Sequence, residues 1–194
     1  MPAILTWPLD ARSGALAMLG VVLVLASLTD LKTGRIPNVL TYPAFLAALA
    51  WQAAMGGQSG ALGLGGALLG VAVGFVPLLV AWKAGGIGGG DAKLMAVVGA
   101  LGGWQFAVAV LFFGFAVAAV MAIVVMIRKR VVKQTLGRIG RFLWLAAGGV
   151  KPGDPATAAS PVIPFGLALC IGAAIVLADE LLGGAITGAV ALSY

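Results

Sequence analysis

Asp30 and Asp91 are the side chains of this 194-residue chain best placed to do chemistry, because each stands where an apolar run meets its polar end. A carboxylate at that depth is expensive to hold and commonly marks an ion pathway or a catalytic site. Only four other acidic residues exist, Asp10, Asp154, Asp179 and Glu180. Histidine is absent, and the single cysteine, Cys170, sits in an apolar run. Ser-His and Cys-His nucleophiles, His-ligated metals and Cys-x-x-Cys clamps are therefore excluded, which leaves carboxylates and lysines as the reactive groups. Two carboxylates within hydrogen-bond reach of one water do not both ionise easily, so one keeps its proton and the pair works as base and acid together. That is aspartyl protease chemistry, and it calls for no metal and no cofactor. Taken singly, each aspartate also has a plainer reading, as a helix terminator or as the partner of a nearby base: Lys32 or Arg35 for Asp30, Lys93 for Asp91.

The elements that must bring these residues together are apolar. Hydrophobic residues make up 62% of the chain and charged residues 9%, where a soluble domain carries about 25% charge. So few ionisable side chains cannot build a water-facing surface, and bilayer hydrocarbon must cover most of the protein. A disordered chain, a secreted disulfide scaffold and a soluble nucleic-acid binder are excluded, despite the net charge of +6. A membrane-crossing helix needs about 20 mostly apolar residues, fewer where the bilayer thins. The expected spans are 14–29, 39–55, 61–82, 92–101, 104–127 and 164–182. The fold class is all-α: a polytopic membrane helical bundle of about six transmembrane helices, forming one integral membrane domain over residues 1–194. Gly66, Gly70 and Gly74 put a small-residue stripe on one face of the third span, a pattern that suits close helix packing. Residues 1–14 lack a basic n-region, so the N-terminus is expected to stay on the mature chain.

Lysines and arginines near helix ends stay in the cytoplasm. With six alternating spans, Lys32, Arg35, Lys83, Lys93, Arg128, Lys129, Arg130, Lys133, Arg138, Arg141 and Lys151 all fall inside and only Arg12 falls outside. This accounts for the basicity and puts the N-terminus outside, with Asp179 and Glu180 at the outer end of the last span. The longest stretch between spans, 128–161, begins with Lys133, Arg138 and Arg141 interleaved with Leu136, Ile139, Phe142, Leu143 and Trp144. That spacing is compatible with an amphipathic helix lying on anionic headgroups. Its second half, 148–161, rich in Gly, Pro, Ala and Ser, reads as a flexible connection.

Asp91 has the more specific context. Five glycines in the six positions 85–90 precede it and do not favour a helix there. Such a segment lets an extended peptide backbone approach the carboxylate. A phosphate-binding loop does not fit, since there is no Gly-Lys-Ser/Thr ending and no G-x-G-x-x-G spacing. Alternation puts Asp30 at the end of the first span and Asp91 at the start of the fourth on the same membrane face, so they can meet. Two other classes fit the composition: a small proton-coupled transporter using both aspartates, and a non-catalytic assembly protein packed through its glycine stripe. The first calls for inverted repeats, of which the sequence has none that convinces. The second has no use for Gly88-Gly89-Gly90-Asp91.

Asp30-Leu31-Lys32-Thr33-Gly34-Arg35-Ile36-Pro37-Asn38 resembles the first catalytic-aspartate motif of the type IV prepilin peptidases, which are GxGD membrane aspartyl proteases. Gly88-Gly89-Gly90-Asp91-Ala92-Lys93-Leu94 resembles their G-x-G-D motif, and Ile163-Pro164-Phe165-Gly166 resembles a third signature that opens the last span. The resemblance implies a bacterial inner-membrane endopeptidase that removes the short basic leader from prepilins or pseudopilins at the cytoplasmic face. Asp30 and Asp91 carry over as the catalytic pair, with no cofactor and no metal. Partners are the prepilin substrate and the lipid bilayer, and no nucleic acid; no oligomeric state is indicated. Longer members carry an insert with paired Cys-x-x-Cys motifs and also N-methylate the new terminus; the insert and its cysteines are missing here, which removes the basis for expecting that activity. The short form is similar to peptidases serving Flp or tight-adherence pili. Many members have proline after the Pro-Phe-Gly step, where this chain has Leu167. Lys93 and Arg35 read as topology-setting charges or as groups that tune the carboxylate proton affinity, Asn38 and Thr41 as helix caps or substrate-backbone partners, and all four stay outside the catalytic set.

Overall fold

The computed structural model describes residues 11–57, 61–147 and 164–183. The expectations for residues 1–10, Lys151, the connection 148–161 and Ile163 lie outside the described residues. Seven helices stand among the described residues: α1 (Ala11–Thr33), α2 (Asn38–Met55), α3 (Gly63–Lys83), α4 (Gly89–Gly102), α5 (Trp104–Arg128), α6 (Val132–Ala147) and α7 (Phe165–Leu181). The fold is all-helical, as the apolar runs imply. Of these helices α1, α3 and α5 are long and apolar enough to cross a membrane. Two compact units divide between Val117 and Ala118 and again before Pro164.

The first unit is built around α4. This helix is only 14 residues long, about 21 Å at 1.5 Å per residue, and it is buried almost throughout, with Leu94, Met95, Val97, Val98, Ala100 and Leu101 in the core. It packs against α1, α2, α3 and α7. Contact with α3 is closest, because the stripe works as its spacing suggests: a Cβ at Gly70 would collide with the Gly99 carbonyl, and one at Gly74 would come within 2.6 Å of the Met95 carbonyl. Gly66 instead meets the Leu62 side chain of its own segment. On the opposite side Gly172 of α7 abuts the Gly114 backbone of α5. The outward faces carry Val21, Leu25, Leu68, Val76 and Phe112, all exposed. An apolar surface so extensive would be a liability in water and suits hydrocarbon.

α1 ends one turn past Asp30 because Gly34 takes a left-handed φ of +63° and its N–H donates to the Asp30 carbonyl at 2.7 Å. That is an αL cap, which glycine adopts without a Cβ penalty. Buried Ile36 and extended Pro37 then turn the chain into α2.

The second unit holds the end of α5 and α6. Arg130, at φ 56°, closes α5 with Val131 N–H donating to the Met126 carbonyl at 3.0 Å, a Schellman arrangement. α6 falls where the basic amphipathic spacing predicts a helix, and its Leu136 and Trp144 are exposed.

Candidate active site

Three helix ends meet around the two aspartates. Asp30 belongs to the last turns of α1, Asp91 to the first turn of α4, and Gly166 and Leu167 to the first turn of α7. Both carboxylates are buried, at 5% and 7% exposure, although carboxylates rarely are. They converge on the Gly166 backbone. A Cβ built there would stand 2.8 Å from Asp91 Oδ1 and 2.9 Å from Asp30 Oδ2. Two oxygens that close to one point are within reach of a single bridging water.

Backbone amides hold each carboxylate. Leu167 N–H donates to Asp30 Oδ2 at 2.8 Å. Asp91 accepts from the Gly88 N–H, the residue before α4, which is the return half of a capping box and satisfies one orphan donor of the helix start. This explains a departure from the sequence reading. The glycine run does not stay open up to Asp91; α4 starts at Gly89, since a carboxylate in the first turn favours the helix against the glycine penalty. Gly90 also packs directly on the preceding loop, where a Cβ would lie 2.9 Å from the Ile36 carbonyl. The last glycines of the run therefore admit the protein's own backbone.

The ion-pair half of the plainer reading does not hold: among the described residues no lysine or arginine pairs with either aspartate, and the ion pair present is Arg12 with Glu180; the helix-end half fits Asp91, which caps the start of α4. Lys93 Nζ instead donates to Asn38 Oδ1 at 2.7 Å and lies 4.9 Å from the centre of the Tyr42 ring. The N-cap position of α2 falls to Pro37, which makes no side-chain capping bond, and Asn38 is the first residue inside the helix. Thr41 is buried, its hydroxyl without a partner among the described residues. An apolar cleft of about 270 Å³, lined by Thr41, Tyr42, Phe45, Phe75, Lys93 and Ala96, includes neither aspartate.

Sequence reasoning missed what Gly166 and Leu167 do. The Pro-Phe-Gly signature pointed to this turn, but Leu167 was weighed by its side chain, and the group at work is its N–H, which no residue type except proline lacks.

A helical membrane protein with two buried carboxylates on one backbone glycine is the class that fold and geometry define. The sequence profile of the type IV leader peptidase family matches residues 17–123, a stretch that contains both aspartates, and the chain belongs to that family. No curated protein and no solved structure matches the chain. Family membership makes it a type IV leader peptidase-like protease, a hydrolase, and favours that reading over the transporter and the assembly protein.

Proposed function

We propose that this protein is an aspartic endopeptidase that removes the basic leader from prepilins or pseudopilins at the cytoplasmic face of the bacterial inner membrane, with Asp30 and Asp91 as its catalytic pair. The convergence of both carboxylates on Gly166 carries this reading. One hydrogen bond to a charged group contributes about 1.5–3 kcal/mol, whereas burying an ion costs several kcal/mol even after relaxation. A single amide donor apiece does not offset two buried negative charges, so the proposed mechanism has the two carboxylates share one proton.

In the reaction, the ionised carboxylate takes a proton from the bridging water as its oxygen bonds to the scissile carbonyl carbon. The protonated carboxyl gives its proton to the developing oxyanion. Collapse of the tetrahedral intermediate re-forms the carbonyl, whose hydroxyl proton goes back to the carboxylate that gave it, and breaks the C–N bond as the other carboxyl protonates the leaving amine, so the pair ends with the single proton it began with. The positions of 11 of the 12 basic residues support a cytoplasmic site under six-span alternation, and α6 then lies on the anionic inner headgroups.

Co-expression with candidate prepilins, followed by mass determination of their N-termini, tests the activity. Wild type should yield the shortened pilin, and Asp30→Asn the full-length precursor. Orientation is tested by single cysteines at Ser59 and Lys133 in a Cys170→Ala background, exposed on spheroplasts to an impermeant thiol reagent. Position 59 should label and position 133 should not; the reverse pattern overturns the cytoplasmic assignment.

A further inference from the structure

We infer that Lys93 and Asn38 form a positioning clamp that sets the separation of Asp30 from Asp91, an inference that rests on the peptidase reading above. The segment from Ile36 to Asn38 touches the start of α4 on both sides of Asp91. Immediately before Asp91, Gly90 abuts the Ile36 backbone, with Ile36 itself buried. Two residues after it, Lys93 Nζ grips Asn38 Oδ1 at 2.7 Å, joining positions 55 apart in sequence. Asn38 is the first residue of α2, tied to α1 by only the four residues Gly34 to Pro37, and Gly34 is bonded back to the Asp30 carbonyl. A shift at Asn38 is therefore passed along a short, capped segment to Asp30, while Lys93 stands half a turn from Asp91 on a helix packed on all sides.

The ammonium is well suited to this task. Its long stem crosses from α4 to α2, and the Tyr42 ring 4.9 Å away gives the charge a second attractive surface. A lysine needed only for topology would require no partner of this kind. Its charge function is kept by arginine; its reach to Asn38 is a separate property.

The test is steady-state cleavage of a prepilin by purified protein in detergent, comparing Lys93→Met, Asn38→Leu, Asn38→Asp and the Lys93→Met/Asn38→Leu double variant. Lys93→Met keeps the apolar stem and loses the donor; it should lower kcat about 10- to 100-fold, the scale expected for misplacing catalytic groups by a fraction of an ångström to one ångström. KM should stay within about twofold, since in this proposal the clamp acts through the carboxylates and not on substrate. Asn38→Leu should match it, and the double variant should be no worse than either single one, the signature of two groups acting as a unit. Asn38→Asp, which still accepts from lysine, should retain kcat within about threefold, and this variant keeps the proposal testable if Lys93→Met is poorly folded. Lys83→Ala, an exposed lysine at the end of α3, is the control for charge loss and should leave kcat unchanged. Wild-type kcat in Lys93→Met or Asn38→Leu, a loss confined to KM, or additive losses in the double variant overturns the clamp alone. A wild type that leaves every prepilin intact overturns the peptidase reading, and the clamp with it.

Discussion

At one end of the first unit Arg12 forms an ion pair with Glu180, its Nε donating at 2.7 Å, and also donates to the Gly102 carbonyl at 3.0 Å. At the other end Asp30 and Asp91 share one glycine, with backbone N–H groups as their donors among the described residues. The two ends use the same three helices, since α1 runs antiparallel to α4 and α7: Arg12 and Asp30 are 18 residues apart on α1, about 27 Å. The first end joins opposite charges and so fixes the register of the three helices. The second keeps like groups close, which does nothing for stability; in the proposed mechanism these are the groups that react. Stability and reactivity are thus separated along the helix axes, and substitutions at the two ends should have opposite consequences.

The largest effect belongs to the acid pair. Asp30→Asn and Asp91→Asn should each cut cleavage by on the order of 10³-fold or more, because an amide neither accepts the water proton nor supplies its own. The double variant should be no worse than either single one. Folding should be unharmed, since Asn keeps the size and removes a costly buried charge. Cleavage at near wild-type rate in either variant would sink the aspartyl mechanism. Asp179→Asn, at the Arg12 end, should cleave normally.

Gly166→Ala comes next. Its new methyl would press on both carboxylates, and we expect about a 100-fold loss of kcat, the scale of a 1 Å misplacement. Unchanged kcat in a well-folded Gly166→Ala protein would contradict the convergence of the pair at that backbone.

Glu180→Gln should behave in the opposite way. It strands a partly buried arginine, so thermal denaturation in detergent should show about 1–2 kcal/mol less stability, with kcat within about twofold of wild type. If instead kcat collapses while stability holds, the two ends are not separable. The smallest effect expected is none: EDTA should leave cleavage unchanged, as the proposed mechanism uses no metal, and a loss restored by one particular divalent ion would argue against that chemistry.

Much of this contrast was legible in the sequence, for particular reasons. Asp30 and Asp91 stood out because ionisable groups are scarce and theirs interrupt apolar runs at the same membrane face. Arg12 and Glu180 were both expected at the far end, although their pairing across 168 positions was not drawn. The α3 glycines announced close packing by their spacing, and the structure seats Gly70 and Gly74 against α4 while Gly66 faces its own segment. What stayed hidden is the part made by backbone. The amide of Leu167 and the Cα of Gly166 have no signature in composition or charge, and the start of α4 inside the glycine run depends on a carboxylate bond that outweighs local propensity. Lys93 was read as a topology charge because a hydrogen bond between residues 55 apart has no local pattern.

The amide that Leu167 gives to Asp30 also has a meaning in time. A ribosome adds about 5–20 residues per second, so Asp91 emerges well before Leu167, by on the order of ten seconds. Throughout that interval the nascent chain holds both aspartates without the last helix that aligns them. A chain whose synthesis has not reached α7 therefore holds both aspartates without the Gly166 backbone on which they converge.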